Sequence, residues 1–365
     1  MDDVTISKIL NIYNDELVKK VRNKKRINDF EKYKITYIRS IYDTLKSGNF
    51  NYIKYNIFLI KEPKYRIIMS VGIYDKIINH YLTKYVLEPK LTKYLDNRNV
   101  ATRKNMGTSY GINLIKKYIE EEKRENNIFY ILKIDLRKYF YSIDHNVLKS
   151  LIKDKLSDIE YHLIELTIDS TNYSYINNTI NKLKDSEIKR NSNRSKEISE
   201  LPLYNNGKGL AIGLVSNQFL AIFYLYKLHN YIIHKLKLKH SVFYMDDYII
   251  MHKDKEYLKY ALKRIEYILN NVYKLELNTK KTMITSSKEG FIFLQYKFKV
   301  LNNKTIIKLR RDTINKIRKN LKKSKYLYKN NYISFKSYFS SVNNYQNTFK
   351  YDKIKVSRII DKYIG

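Results

Sequence analysis

The sequence predicts a mixed α+β fold, and two kinds of pattern support this prediction. Short β-branched and aromatic runs over residues 129–135 and 242–251 are typical of buried strands. Residues 1–50 are basic and look helical, and the tail from residue 305 repeats apolar residues at helical spacing (Ile314, Ile317 and Leu321). With 365 residues and 44% hydrophobic content, the chain can bury a sizeable core. One multi-lobed unit is expected rather than several independent domains.

Two adjacent acids, Asp246 and Asp247, are the most informative feature of the chain. Apolar stretches flank the segment Tyr244-Met245-Asp246-Asp247, which therefore predicts a strand, a tight turn and a second strand. Carboxylates at a hairpin tip supply the hard oxygen ligands that Mg²⁺ prefers. A second Asp-Asp pair, Asp2-Asp3, lacks flanking strands and is interpreted as solvated.

A third acid, Asp135, ends the predicted strand over residues 129–135. One carboxylate at a strand end and two on a nearby hairpin can hold two metal ions about 3.5–4 Å apart. Such a pair of ions would activate a 3′ hydroxyl and steady a leaving pyrophosphate. The alternative interpretation is that Asp135 is an ordinary turn residue that ends a strand.

Basic residues indicate a partner rich in phosphate. Lys64 and Arg66 alternate along a predicted strand, so both can face a phosphate group; the alternative is a solvated basic edge strand. Lys and Arg number 71 against 36 acids, a formal charge of +35, which favours salt-dependent nucleic-acid binding. The abundance of Lys, Asn, Ile and Tyr also fits an AT-rich genome, which lowers the weight of this charge.

Three of the nine glycines, Gly207, Gly209 and Gly213, lie within seven residues. Such clustering predicts a sharply bent backbone or the close approach of a nucleotide. A predicted helix rich in Leu, Phe and Tyr follows from Gln218 to Tyr231. A plain helix-capping loop is the alternative.

Taken in order, these motifs resemble those of reverse transcriptases, specifically the small bacterial ones that are neither retrons nor group II introns. The resemblance covers roughly residues 55–300, and the ordered set is specific although each piece alone is not. The matching segments are 61–68 (fingers hairpin), 73–80 and 87–89, 99–108, 129–140 and 142–145 (motif A and its continuation), 209–218 (motif B), 244–247 (motif C), 277–282 (motif D) and 290–296 (motif E, the primer grip).

The resemblance implies a right-hand polymerase architecture. It divides the chain into a helical N-terminal extension (1–50), fingers (51–128), palm (129–302) and a helical thumb (303–365). Within the palm, residues 182–206 are rich in Lys, Asn, Ser and Glu and show little periodicity. They predict an exposed, irregular insertion, with an RNA-binding insert as the alternative.

The resemblance also assigns roles to individual residues. Asp135, Asp246 and Asp247 would be catalytic and, with the backbone carbonyl of Leu136, would hold two Mg²⁺ ions, for which Mn²⁺ is expected to substitute. Phe140 would exclude a ribose 2′-OH, unless it is an ordinary core aromatic. The expected nucleotide-binding residues are Lys64, Arg66, Phe140, Gly213, Gln218 and Lys281. Lys281 and Lys280 are the two candidates for the residue that protonates the leaving pyrophosphate. The expected primer grip is Phe293, Leu294, Gln295 and Tyr296.

The expected activity is RNA-directed DNA synthesis, with an RNA template, dNTPs and a DNA product as partners. After Gly213, the run Ser216-Asn217-Gln218 resembles motif B of diversity-generating retroelements, whose polymerases need an accessory protein; Asn217 stands at the Ser position. Small size and imperfect motifs B and E equally fit defence-associated enzymes of the abortive-infection type, which act on a dedicated non-coding RNA. We favour defence. A catalytically inactive RNA-binding scaffold is a third reading, which the three intact carboxylates oppose.

Cellular location is predicted from what the sequence lacks. It has no cysteine, which excludes disulfides and thiolate zinc sites. The first residues lack the basic and apolar regions of a signal peptide. No apolar run approaches the roughly 18–20 residues of a membrane span. A cytoplasmic protein without membrane contact is expected.

Overall fold

A computed structural model gives the fold and describes residues 1, 3–20, 24–50, 54–61, 64–348 and 350–364. The helices are α1 (Ile6–Ile12), α2 (Lys24–Glu31), α3 (Lys34–Ser47), α4 (Ile73–Tyr81), α5 (Glu88–Leu91), α6 (Thr108–Glu125), α7 (Tyr139–Ser142), α8 (His145–Ile152), α9 (Asp158–Asp169), α10 (Ser174–Arg190), α11 (Ser195–Ser199), α12 (Val215–Tyr224), α13 (Tyr226–Asn230), α14 (Lys255–Asn271), α15 (Arg311–Lys329), α16 (Phe335–Thr348) and α17 (Lys353–Ile364). The strands are β1 (Asn56–Ile60), β2 (Arg66–Ser70), β3 (Tyr130–Asp135), β4 (Ser241–Tyr244), β5 (Asp247–His252), β6 (Met283–Ser286), β7 (Phe291–Phe293), β8 (Tyr296–Leu301) and β9 (Lys304–Leu309).

A four-stranded antiparallel sheet of order β4-β5-β3-β6 lies at the centre. Strands β3, β4 and β5 are largely apolar on both faces because both faces are covered. Leu132 and Ile134 of β3 pack into one hydrophobic core, whereas the alternate residue Ile131 packs into a second. This double burial explains why the strand reads as a continuous apolar run rather than an alternating one.

The two cores divide the remaining elements. The first core joins α1 and α3 to α4, α8, α9 and α12, and the second joins α6 to the sheet β7-β8-β9 and the C-terminal helices. In α15 the helically spaced residues Ile314, Ile317 and Leu321 are buried as a stripe in the second core. Among the described residues, none of the helices combines the length and apolar character needed to cross a bilayer.

Two expectations about secondary structure are wrong. Most of the segment 182–206 is helical rather than irregular, since α10 extends to Arg190 and α11 follows it. The buried residues Glu187 and Ile198 tie it to the body of the protein. Residues 304–309 form strand β9 rather than part of a helical thumb. Asn302 and Asn303, both at positive φ, form a two-residue hairpin turn, and the β-branched residues of β9 follow this turn.

Candidate functional site

The predicted acidic hairpin is present between β4 and β5. Tyr244 pairs with Asp247, which leaves Met245 and Asp246 as the two turn residues. Met245 has a φ of 54°, a left-handed conformation that costs a non-glycine residue about 1–2 kcal/mol. The turn therefore stores strain next to its acids, a combination found at functional sites.

Asp135 lies directly beside this hairpin. It is the last residue of β3, and its cross-strand partner in β5 is Asp247. One residue further, the backbone N–H of Leu136 donates to the carbonyl of Asp246 at 3.1 Å. The three predicted acids are thus brought together at one edge of the central sheet.

The side chain of Asp135 is held by the segment that follows α14. Its Oδ1 accepts a hydrogen bond of 2.7 Å from Asn278 Nδ2, and Lys281 Nζ lies 2.9 Å from Oδ2. The backbone N–H of Asn278 also donates to the Asp135 carbonyl at 2.8 Å. Asp135 is only 8% exposed, so the Lys281 ammonium provides the counter-charge that a buried carboxylate needs.

The two hairpin acids have perturbed ionisation. Burial raises the pKa of Asp246, as does the nearby charge of Asp135, whereas Lys281 and Arg66 oppose the shift. Burial raises the pKa of Asp247 to about 6, against the opposing charge of Lys133. Although Lys133 Nζ is 3.4 Å from Asp247 Oδ1, that oxygen has no hydrogen-bond partner among the residues that the structure describes.

The donor chemistry at this edge fits a divalent cation. Carboxylate oxygens are hard ligands, and the buried Asp247 oxygen without a hydrogen bond is the kind of atom that a cation satisfies. In the described part of the chain, however, no three acidic or imidazole side chains already converge as a metal site. Lys281 forms an ion pair with Asp135, so a cation that binds Asp135 would compete with this ammonium.

The charge of Arg66 acts on Asp246, whereas the charge of Lys64 acts on Glu197. Arg66 begins β2, is exposed, and its charge acts on Asp246 and on Tyr141. Lys64 is exposed and precedes the strand. The pKa of Glu197 in α11 is lowered mainly by hydrogen bonds from the Tyr65 N–H and from Arg194, and the charge of Lys64 adds a smaller effect. Exposure alternates from exposed Lys64 through buried Tyr65 to exposed Arg66, although only Arg66 lies within the strand.

Packing within the protein requires glycine at position 213. Its φ is 136°, and a Cβ there would lie 2.4 Å from the carbonyl oxygen of Met69 in β2. The preceding residue, Ile212, accepts a 2.8 Å hydrogen bond from the Met69 N–H. The sequence predicts a bent backbone or the approach of a nucleotide here; the close approach in the structure is that of strand β2, which belongs to the hairpin carrying Arg66.

The residues after Gly213 open α12, which begins at Val215. Ser216 and Asn217 are fully buried; Ser216 Oγ donates to Asn79 Oδ1 at 2.6 Å and Asn217 Nδ2 donates to the Ala211 carbonyl at 3.1 Å. Gln218 is half-buried. Of this run, Gln218 alone retains an accessible side chain suited to contact a nucleotide.

Phe140 lies in the short helix α7, whereas the predicted primer grip surrounds the turn between β7 and β8. Phe140 is half-buried in α7 and makes an edge-on contact with Tyr139, 5.9 Å between ring centroids. Phe293 and Tyr296 are buried at the facing ends of β7 and β8. Between them, Leu294 and Gln295 have φ of 44° and 75°, so Gln295 adopts the left-handed conformation that favours glycine.

A model of the family described as reverse transcriptase (RNA-dependent DNA polymerase) matches residues 59–298, well over half of the chain. The chain belongs to the reverse transcriptase family. The match and the mixed helix and sheet structure confirm the predicted α+β, right-hand polymerase class. No curated protein matches the chain significantly.

One solved structure similar to this reverse transcriptase is apo telomerase from Candida tropicalis, truncated from the C-terminal domain. The TM-score is 0.49 and the sequence identity 14%, and the match covers 71% of this chain and 55% of that one. The chain thus spans little more than half the length of that protein.

Sequence reasoning missed several residues around the site of this reverse transcriptase. Asn278 lies within motif D, and the resemblance implies no role for it, although its side chain donates a hydrogen bond to Asp135. Lys133 lies two residues before Asp135 and therefore on the same face of β3, a signal that was available. The contacts that α10 and α11 make with the β1–β2 hairpin had no sequence signal, because they depend on long-range packing.

Proposed function

We propose that this protein is an RNA-directed DNA polymerase that makes complementary DNA by nucleotidyl transfer. The pairing of Asp135 with Asp247 at the sheet edge, beside Asp246, carries the proposal. It places three carboxylates on adjacent chain segments within a chain of the reverse transcriptase family. Carboxylates that lie this close together and are partly withdrawn from water are costly unless cations neutralise them, and a catalytic cation would add to the charges that Lys281 and Lys133 already supply.

Mg²⁺ would be held by Asp135 and Asp246, with Asp247 and the Leu136 carbonyl as further ligands, and Mn²⁺ would substitute. When bound, it would supply charge stabilisation to the phosphate under attack and lower the pKa of the attacking hydroxyl. The residues of the chain do the rest. Arg66 offers an exposed guanidinium to the triphosphate, with Lys64 beside it on the hairpin.

Lys281 has a second role in this proposal. Its ammonium neutralises Asp135 in the structure, and the side chain is 56% exposed. Released from Asp135, this ammonium would be able to donate a proton to the leaving pyrophosphate. Phe140 is proposed to exclude ribonucleotides, Gln218 to contact the nucleotide, and the turn at Leu294 and Gln295 to support the primer.

The biological role proposed is bacterial antiviral defence with a dedicated non-coding RNA as template, in the cytoplasm. A diversity-generating retroelement is the alternative. Ser216 and Asn217 suggested it, but both are buried and hydrogen-bonded inside the protein, so their identity reports packing rather than template choice. Sequencing the RNA that copurifies with the protein decides between them: a structured non-coding RNA supports defence, and a template copy of a variable gene supports the alternative.

A catalytically inactive RNA-binding scaffold is the second alternative, and one observation favours it. The Lys281–Asp135 ion pair satisfies the acid without any metal. Primer extension tests this directly, with purified protein, an RNA template, a DNA primer, dNTPs and Mg²⁺. DNA synthesis supports the polymerase. RNA binding without synthesis, even with the copurifying RNA added back, supports the scaffold and contradicts the polymerase.

A further inference from the structure

The hairpin of β1 and β2, which carries Arg66, has little support of its own. The two strands form a separate two-stranded sheet, and such hairpins are at best marginally stable when isolated. A hairpin that must present charges at fixed positions therefore needs an external support. Helices α10 and α11 and the short turn between them provide it through three residues that we call the hairpin anchor: Glu187 in α10, Arg194 in the turn and Glu197 in α11.

Glu187 binds two side chains of the hairpin, those of Lys61 and Tyr65. This residue is only 5% exposed, and its Oε1 accepts a 2.9 Å hydrogen bond from the Tyr65 hydroxyl and lies 2.8 Å from Lys61 Nζ. Asn191 donates to the same oxygen at 2.5 Å. The hydrogen bond from Lys61 holds the pKa of Glu187 below its usual value, so the carboxylate stays ionised.

Glu197 and Arg194 bind the backbone of the hairpin, and Arg194 also stacks on the ring of Tyr65. Glu197 Oε1 accepts a 3.1 Å bond from the Tyr65 N–H, while its Oε2 accepts bonds of 3.0 and 2.8 Å from Arg194 Nε and Nη2. The Arg194 guanidinium lies over the Tyr65 ring at 4.2 Å and donates to the Lys61 carbonyl at 3.2 Å. Lys61 and Tyr65, on the two sides of the tip, are thus both fixed.

The base of the hairpin is held by the same part of the chain. Tyr55, just before β1, donates or accepts a 2.6 Å bond with Ser170 Oγ, and its N–H donates to the Tyr175 hydroxyl at 3.0 Å. Tyr175 lies in α10. One segment therefore supports the hairpin at both ends.

The anchor also determines where Arg66 points. Tyr65 is buried against the anchor, whereas the next residue, Arg66, is exposed and acts electrostatically on Asp246. Successive side chains of extended backbone point to opposite sides. Fixing Tyr65 on one side therefore fixes Arg66 on the other, and it limits the movement of Lys64, which lies between the two anchored residues.

We propose that the hairpin anchor is a positioning device for the triphosphate of the incoming nucleotide. Glu187, Arg194 and Glu197 would act through their contacts with Lys61 and Tyr65, which hold the hairpin so that Lys64 and Arg66 meet the triphosphate without first being ordered. The proposal rests on the proposed polymerase function for its kinetic consequence, but not for its structural one. Preorganisation of this kind strengthens nucleotide binding because the ordering cost is removed beforehand.

The structural arm uses a nitroxide label on the hairpin. Because the chain has no cysteine, Ile60→Cys, at a position 42% exposed, gives a single labelling site. The electron paramagnetic resonance spectrum should show greater label mobility with Arg194→Ala. It should be unchanged with Arg190→Ala, which removes the same charge from an exposed position in α10. Arg194→Lys should be intermediate, since lysine keeps the charge but loses the planar stack and forked hydrogen bonds.

The binding arm measures the affinity of the same proteins for dTTP with Mg²⁺ by calorimetry, and the KM for dTTP in primer extension. Arg194→Ala should weaken dTTP binding about tenfold, through KM more than through kcat, because it removes binding shared by ground and transition states. Glu197→Gln should act in the same direction. Melting curves establish that each variant is folded.

Three results would each contradict the proposed positioning role of the hairpin anchor. One is unchanged label mobility in folded Arg194→Ala, another is increased mobility with unchanged dTTP affinity, and the third is an equal loss of affinity in Arg190→Ala. Failure of the polymerase proposal looks different, because the wild-type protein would then make no DNA while the mobility and dTTP-affinity measurements still decide the role of the anchor.

Discussion

Gly213→Ala provides a quantitative test of how the hairpin is joined to the acidic edge. An alanine Cβ would meet the Met69 carbonyl oxygen at 2.4 Å and its carbon at 3.1 Å, and both are backbone atoms that cannot swing away. The residue has a φ of 136°, a region that costs a side chain about 1–3 kcal/mol. Loss of the hydrogen bond from Met69 to Ile212 adds about 0.5–1.5 kcal/mol. Together these effects predict a loss of about 2–4 kcal/mol in unfolding free energy.

Gly207→Ala is the matched control. Gly207 also has a positive φ, 70°, but no described atom lies within 4 Å of a Cβ placed there. Only the conformational cost of about 1–2 kcal/mol applies. Urea unfolding of both variants gives the difference, and the KM for dNTP should rise in Gly213→Ala alone because β2 carries Arg66. Equal destabilisation of the two variants would refute the close-approach argument.

Three further predictions concern single side chains. Burial raises the pKa of Asp75 to about 6 from 3.8, so the folded protein binds this proton more tightly than the unfolded chain, and the free energy of unfolding falls by at most about 3 kcal/mol as pH rises from about 4 through 6. The melting points of Asp75→Asn at pH 5 and pH 7.5 should therefore differ less than those of the wild type. An equal difference in the two proteins would contradict the assignment. Phe140→Ala should raise ribonucleotide over deoxynucleotide incorporation about tenfold, equivalent to about 1.4 kcal/mol; an unchanged ratio makes Phe140 a core aromatic. Lys281→Gln should lower the Mg²⁺ concentration for half-maximal synthesis, because the competing ammonium 2.9 Å from Asp135 is gone; a higher requirement would contradict competition.

The local features of the site were predictable from the sequence. The strand before Asp135, the turn at Met245 and Asp246, and the glycine at Gly213 each follow from short-range patterns of apolar, acidic and glycine residues. These patterns have one physical origin, since strand, turn and positive φ are properties of a few consecutive residues.

Other features depend on distant parts of the chain and were missed. The helix over residues 174–190 has few apolar positions, so its sequence resembles a solvated loop. Its buried side is partly polar, with Glu187 satisfied by Lys61 and Tyr65 more than a hundred residues earlier. The predicted helical tail includes strand β9, although the Asn302-Asn303 pair, at positive φ, forms a two-residue hairpin turn before it.

The central claim is that the acids at the sheet edge catalyse RNA-templated DNA synthesis. The most direct measurement is single-turnover incorporation of one dNTP into a DNA primer on an RNA template, in wild type, Asp246→Asn and Asp3→Asn. The account predicts that Asp246→Asn slows incorporation about a thousandfold or more, since metal-assisted charge stabilisation is worth several kcal/mol. It predicts wild-type rates for Asp3→Asn, which removes an exposed acid from the other Asp-Asp pair. Equal rates in Asp246→Asn and Asp3→Asn would contradict the account.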